Sequence, residues 1–254
     1  MLNYKLICML LAALFSVLLP VVLLIVWKKT TRAKLLPFFI GMLVFLVFAV
    51  VLEQLLFLPL VQRNPLIAEF LTTNVIGSAI FYAVTAGIFE ETGRYLAFKT
   101  VLRKRVGKET GVTYGIGHGG MEMLLLLGQT YVLLLLSLLM KDNTFFSPFL
   151  PTAENLTVGF IGCAVLERIF ALALHVSLSV FVFTAARNAK KLWLYPVAIW
   201  LHAMADIPAT LYQARILPLW QAELYIGVFA VVVLFLAIRL YKKTGDAPAE
   251  QPAE

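Results

Sequence analysis

Long apolar stretches, separated by short polar segments, dominate the chain. A helix needs about 20 residues to cross the roughly 30 Å of hydrocarbon in a bilayer, and the apolar stretches reach that length. They are apolar on nearly all faces, as expected of helices surrounded by lipid and by other helices. The predicted spans are residues 5–27, 35–60, 75–98, 111–140, 156–186, 193–211 and 217–240. The sequence therefore predicts an all-α polytopic membrane protein, with a bundle of seven transmembrane helices in residues 1–241 and a disordered tail over residues 242–254.

Composition agrees with a membrane protein. Hydrophobic residues make up 61% of the 254 residues and charged residues 14%, whereas about a quarter of an ordinary globular domain is charged. One soluble core could not bury that much apolar surface. Soluble catalytic domains, basic nucleic-acid modules and disordered chains are therefore excluded as the main content.

The distribution of basic residues predicts the topology. Fifteen of the 21 lysines and arginines lie after the first, third, fifth and seventh spans, and four lie on the other side. Because basic residues mark cytoplasmic loops, we expect the N-terminus outside and the C-terminus in the cytoplasm of a bacterial cell. The net charge of +7 thus reflects topology, and no nucleic-acid partner is expected.

Ionisable residues also occur inside the predicted spans, where an unpaired charge costs about 2.5–3.5 kcal/mol on insertion scales. They either pair with one another as polar contacts between helices or line a water-filled site. The residues concerned are Glu53, Glu90, Glu91, Glu122, Glu167, Asp206, His118, His175, His202, Arg94 and Arg168.

Five of these residues share one depth. Each lies 8 to 12 residues from the basic residue at the cytoplasmic end of its helix, which corresponds to about 12–18 Å at 1.5 Å per residue. They are Glu90, Glu91, His118, His175 and His202. Four helices thus place ionisable groups at one level, which favours a common site. Glu53 lies nearer the outer side, and we interpret it as a partner for another helix.

Local spacing predicts contacts within single helices. Arg94 follows Glu90 by four residues and Glu91 by three, so the guanidinium can reach either carboxylate. The two glutamates point about 100° apart, and only one can face a common site. Helix rotation decides which one, so the sequence leaves this open. Glu167 is placed to neutralise Arg168.

Two histidines have an acid four residues further on. His118 precedes Glu122, and His202 precedes Asp206, so each acid could fix the tautomer of its ring. Four glycines surround His118, which favours either tight helix packing or room for a substrate strand. These glycines are Gly115, Gly117, Gly119 and Gly120.

Three motifs together resemble a known protease superfamily. They are EExxR at residues 90–94, an aromatic residue four before histidine at 114–118, and HxxxD at 202–206. In this order they are similar to the glutamic-type intramembrane proteases, which include the type II CAAX prenyl endopeptidases with bacteriocin-processing relatives and the PrsW proteases. With Glu167-Arg168 and His175 on a further helix, the chain most resembles the YhfC family of predicted intramembrane metalloproteases. The likeness covers about residues 35–210.

The motifs depart from the CAAX enzymes, which have EExxxR and end the third motif in asparagine. The chain is therefore closer to PrsW and YhfC, and prenylated substrates are not implied. The resemblance implies that one glutamate acts as general base on a water polarised by a histidine, and that a second histidine stabilises the oxyanion. The implied catalytic residues are Glu90, Glu91, His118 and His202, and the supporting ones are Arg94, Glu122, Asp206, Arg168 and Glu167.

A metal is the open question. His118, His175 and His202 together with a glutamate could bind zinc and leave one position for water. HExxH is absent, so the sequence has no local zinc motif, and a glutamate-only mechanism stays open. Cys8 and Cys163 lack metal-binding spacing and are interpreted as apolar filler.

We therefore predict an intramembrane endopeptidase that cleaves a peptide or protein substrate in or next to the bilayer, on the cytoplasmic side. One alternative is a non-catalytic seven-helix scaffold, similar to the scaffold subunit of gamma-secretase. Another is a proton-coupled transporter, since buried acids and histidines also suit proton transfer. Transporters usually contain inverted repeats, and no convincing repeat is present in the sequence.

Overall fold

The computed structural model describes residues 2–244, in which every regular element is a helix and no strand occurs. Six helices of this part are long and apolar enough to cross a membrane. The protein is therefore an all-α, integral multi-pass membrane protein. The helices are α1 (Leu2–Thr31), α2 (Leu36–Gln62), α3 (Pro65–Thr73), α4 (Val75–Lys99), α5 (Glu109–Leu139), α6 (Leu150–Asn155), α7 (Val158–Arg187), α8 (Leu194–Gln213) and α9 (Leu219–Lys243).

The sixth predicted span, residues 193–211, corresponds to α8. Its 20 residues give a length of about 30 Å, but His202, Asp206 and Pro208 lower its apolar character. It is not among the six helices that meet the length and composition of a span. The count of seven transmembrane helices therefore stays a prediction.

The other predicted boundaries lie within a few residues of the helix ends. α9 continues through Lys243, so it includes the first two positions of the predicted tail, and residues 245–254 lie outside the described part. The short helices α3 and α6 were not predicted. Two stretches are π-helical, Leu46–Phe57 within α2 and Leu124–Gln129 within α5.

The basic ends of four helices lie together. Arg187 at the end of α7 donates from Nη1 to the Phe98 carbonyl near the end of α4 (2.9 Å). Near the ends of α1 and α9, the rings of Trp27 and Tyr241 are 6.0 Å apart. We call this the basic end of the bundle. At the opposite end, Lys5 donates to the Glu154 carbonyl in α6 (2.7 Å).

α7 is the central helix of the bundle and contacts α1, α4, α5, α8 and α9. Its half nearer the basic end is almost entirely buried. There it contributes to an apolar cluster in which six side chains have no exposed surface. They are Phe98, Leu102, Tyr114, Leu178, Val182 and Ala198. This cluster fills the bundle between the basic end and the level of the histidines.

Candidate functional site

The three histidines converge from three helices. The ring centroids of His118 on α5 and His175 on α7 are 5.1 Å apart, and those of His175 and His202 on α8 are 5.3 Å apart. All three are at most 3% exposed. The common level predicted from helix depth is therefore also a common location.

Glu90 on α4 faces all three rings. One oxygen, Oε2, lies 2.9 Å from His118 Nε2 and 3.9 Å from His175 Nδ1. The other oxygen, Oε1, lies 3.8 Å from His202 Nε2. Glu90 is thus the glutamate of the pair that faces the shared site, which the sequence left open.

Glu91 has a bracing position instead. Arg94 Nη1 donates to both carboxylate oxygens at 2.8 Å, and His202 Nδ1 lies 2.8 Å from Oε1. Glu91 and Arg94 are both completely buried. Their opposite charges balance within the helix, and the carboxylate fixes the orientation of the His202 ring.

His175 is held from both sides. Arg94 Nη2 lies 3.2 Å from its Nδ1, and Glu122 contacts its Nε2. Arg168 in turn donates from Nη1 to Glu122 (2.6 Å) and from Nε to Glu167 (2.6 Å). Since arginine only donates hydrogen bonds, Nδ1 of His175 accepts from Arg94 in this arrangement, and Nε2 carries the proton that faces Glu122.

The predicted pairing of His118 with Glu122 is wrong. The two residues lie on one helical face, but His118 contacts Glu90, and Glu122 contacts His175 and Arg168. A shared face does not select among partners on neighbouring helices, and the cation on α7 offers the carboxylate a stronger partner. The pairing of His202 with Asp206 is present at 3.4 Å.

Three of these residues could hold a metal ion. Glu90, His175 and His202 each offer one ligand atom, and these atoms lie within 4.8 Å of one another. Two imidazole nitrogens and one carboxylate oxygen, all buried, form a donor set that suits zinc and leaves room for a water. His118, part of the predicted histidine set, is not in this group, although its Nε2 contacts Glu90.

The two histidines of this group differ in how readily each could bind a metal ion. Because Nδ1 of His202 faces the Glu91 carboxylate, a neutral ring presents its lone pair at Nε2, toward Glu90. This is the usual arrangement of a metal-binding histidine held by a carboxylate. An ion bound at Nδ1 of His175 would replace the contact with Arg94.

The glycines around His118 serve helix packing. A Cβ on Gly117 would overlap the Phe38 carbonyl of α2, and one on Gly115 would approach the backbone of His175 and Val176 on α7. Helices α2 and α7 therefore occupy the space beside His118. Of the two interpretations of these glycines, tight packing is the one observed.

Two cavities adjoin the site. The first, of about 400 Å³, lies between α5, α7, α8 and α9 and reaches His175. The second, of about 750 Å³, lies between α2, α4 and α8. Both are lined by Glu122, Arg168 and Asp206, so they meet at the polar network beside the histidines.

Two acids belong to this region although the sequence analysis did not place them there. Glu53 is 2% exposed and lines the second cavity, so it lies nearer the site than its depth suggested. Glu223 on α9 lines the first cavity, and its buried Oε2 has no hydrogen-bond partner among the described residues. Its position inside the last apolar stretch was the available signal.

Comparisons with known proteins agree on one family. A protein-family model, described as YhfC intramembrane metalloprotease, matches residues 15–226. The "Uncharacterized membrane protein YhfC" of Bacillus subtilis (strain 168) is 32% identical over 249 residues, covering 91% of this chain and 92% of that protein. No solved structure matches the chain. With nearly the whole length of both chains aligned and the family model spanning most of the helices, this chain belongs to the YhfC family.

Proposed function

We propose that the protein is a metal-assisted intramembrane endopeptidase. The observation that carries the proposal is the convergence of Glu90, His175 and His202, whose ligand atoms lie within 4.8 Å of one another at a buried position that adjoins two cavities. A hydrolase needs a held water, a proton acceptor and space for a peptide. The family description, intramembrane metalloprotease, supports the same conclusion.

The metal would be held by Glu90, His175 and His202. When bound, zinc supplies a Lewis acid that lowers the pKa of its water and polarises a carbonyl. Glu91 orients His202 through its contact with Nδ1 (2.8 Å). Glu122 does the same for His175, and such outer carboxylates keep ligand rings in place.

His118 and the Glu90 oxygen that would not hold the metal handle the proton in this proposal. Their contact of 2.9 Å places a carboxylate and an imidazole where water can be deprotonated. The water oxygen bonds to the carbonyl carbon, the proton passes to this pair, and it then moves to the amine nitrogen as the C–N bond breaks. The products are a carboxylic acid and an amine, and transfer of the remaining acid proton gives carboxylate and ammonium.

A glutamate-only mechanism uses the same residues differently. His202 would then carry protons on both nitrogens, with Glu91 and Asp206 as acceptors at 2.8 and 3.4 Å. Its Nε2–H would donate to the oxyanion. The metal content of the purified protein separates the two mechanisms, since only one of them requires a bound ion.

The scaffold alternative explains less of the structure. Glu91 and Arg94 neutralise each other's charge through two contacts of 2.8 Å, as a purely structural role would require. Glu90, however, faces three rings at up to 3.9 Å, and the neighbouring network lines two cavities. Open space beside this network of buried ionisable groups favours an enzyme over an assembly subunit.

Cleavage can be tested without a known substrate. Membranes from cells that make the wild-type protein or Glu90→Gln are compared by labelling new protein N-termini and identifying them by mass spectrometry. We expect a set of N-termini that falls at least about 100-fold in Glu90→Gln, the usual scale of losing an acid–base group.

The control for this experiment is Glu69→Gln, which changes an exposed glutamate on α3 and should leave the N-termini at wild-type levels. Identical N-termini in wild type and Glu90→Gln would contradict the proposed function.

A further inference from the structure

The two cavities extend from the site toward one end of the bundle. On α4, the second cavity is lined by positions between Val75 and Ala86, which precede Glu90 and lie away from the basic end. On α7, the first cavity is lined from Phe160 to His175, again on the side away from Arg187. Both cavities therefore open the site toward the end opposite the basic loops.

The other direction is closed by packing. Tyr114 lies one turn from His118 toward the basic end, and its ring stacks on His118 at 5.8 Å between centroids. Phe98 packs on Tyr114 at 4.8 Å, and both side chains have no exposed surface. A peptide approaching from the basic end would have to displace this cluster.

The first cavity has an apolar wall and an acidic lining. Tyr131, Leu134, Phe160 and Ile226 are among its apolar residues, which suit an apolar peptide segment. Apart from His175, its acidic and basic residues are four acids and one arginine: Glu122, Glu167, Asp206, Glu223 and Arg168.

The arginine is already engaged. Arg168 donates to Glu122 and to Glu167 at 2.6 Å. On the other wall of the cavity, the buried Oε2 of Glu223 has no hydrogen-bond partner among the described residues. A buried acceptor without a partner is energetically unfavourable, so a ligand that donates a hydrogen bond to it is stabilised there. Charge complementarity favours a cationic donor.

We propose that the substrate enters through the first cavity from the end opposite the basic loops, and that Glu223 binds a lysine or arginine of an apolar substrate segment. The proposal rests on the proposed function, because it assigns a route and a preference to that site. By the positive-inside rule, entry is from the extracytoplasmic side, which differs from the cytoplasmic cleavage suggested by the sequence alone.

Cys163 provides a direct test because it lines the first cavity. In Cys8→Ala it is the sole cysteine. Two membrane-impermeant methanethiosulfonates, the trimethylammonium-ethyl cation and the sulfonato-ethyl anion, are added to spheroplasts or to inverted membrane vesicles. A polyethylene-glycol maleimide is then added, which labels only cysteines that have not reacted. Modification of Cys163 is measured as the loss of this label. The control, Cys163→Ala, retains Cys8, which lines neither cavity.

We expect Cys163 to react in spheroplasts and not in inverted vesicles. Relative to the same ratio for a small free thiol in solution, the cation should react about tenfold faster than the anion, the lower range of electrostatic focusing in a charged cleft. Glu223→Gln should reduce this ratio, and Glu223→Asp should retain it. Reaction in inverted vesicles alone, or no reaction on either side, would overturn the route. A cation-to-anion ratio equal to that of the free thiol, or a ratio unchanged in Glu223→Gln, would overturn the role of Glu223.

The labelling does not require turnover. It can be repeated in Glu90→Gln, where we expect the same rates. Labelling as expected without any new N-termini in the cleavage experiment would reject the proposed function and retain the cavity route. New N-termini without labelling of Cys163 would retain the proposed function and reject the cavity route.

Discussion

The adjacent glutamates Glu90 and Glu91 have the same chemistry and opposite tasks. Glu91 is locked to Arg94 by two contacts of 2.8 Å, with both side chains fully buried. Glu90 faces imidazole rings, which carry no obligatory charge. In the proposed function, the glutamate facing the histidines takes part in the chemistry, while its neighbour stabilises the fold.

Removing the charge of Glu91 should destabilise the protein. In Glu91→Gln the Arg94 guanidinium stays buried without a carboxylate, which costs about 3–5 kcal/mol. We expect a clear fall in the thermal unfolding midpoint in detergent. Glu90→Gln, which leaves no arginine without a partner, should change the midpoint far less.

The double variant Glu91→Gln/Arg94→Met serves as a control, because it removes both buried charges and should recover part of the lost stability. Equal midpoints for Glu90→Gln and Glu91→Gln would refute this division of tasks.

The sequence predicted which residues meet but not every partner. Depth along each helix was sufficient to bring Glu90, His118, His175 and His202 to one level. Pairing across helices depends on rotation about each helix axis, and one residue of rotation changes the direction of a side chain by about 100°. Glu122 illustrates this, since it turns toward α7 rather than along its own helix to His118.

At the scale of helices, the apolar stretches predicted the elements closely. The π-helical turns were not predictable, because both segments are apolar on nearly every face and a change in helical pitch leaves no mark on such a pattern. They also flank the site. Glu53 lies within the first, and the second begins two residues after Glu122. π-helical turns are frequent at functional sites.

Close contact between α2 and α5 depends on glycine. In Gly117→Ala the new Cβ overlaps the Phe38 carbonyl, a backbone atom that cannot rotate away. We expect a loss of about 1–3 kcal/mol in the free energy of unfolding, the usual cost of overpacking. The matched control is Gly162→Ala on α7, where the new Cβ would have no atom within 4 Å apart from the backbone of its own helix.

Thermal or denaturant unfolding of both glycine variants measures the difference. Gly162→Ala should be neutral or stabilising by up to about 1 kcal/mol, because alanine favours helix. A larger loss in Gly162→Ala than in Gly117→Ala would show that the close contact of α5 with α2 does not limit stability.

At the scale of the whole molecule, the sides of the membrane on which the two termini lie depend on the number of spans. Seven spans place the N- and C-termini on opposite sides of the membrane, whereas six place them on the same side. The difference is whether α8, which carries His202, crosses the bilayer. The charge bias predicts a cytoplasmic C-terminus and an outside N-terminus.

Reporter fusions at each terminus test this topology in bacterial cells. We expect green fluorescent protein to fluoresce at the C-terminus, and alkaline phosphatase, which is active only outside the cytoplasm, to be active at the N-terminus. Phosphatase activity at both termini, or at neither, would contradict seven spans.

The central claim is that Glu90, His175 and His202 form one metal-binding catalytic centre. The most direct measurement is the zinc content of the purified protein by mass spectrometry. We predict about one zinc per chain in the wild type and in Glu69→Gln, and loss of zinc in His175→Ala and His202→Ala with helical content retained. A wild-type protein that cleaves peptides without bound metal, or zinc retained in both histidine variants, would contradict the claim.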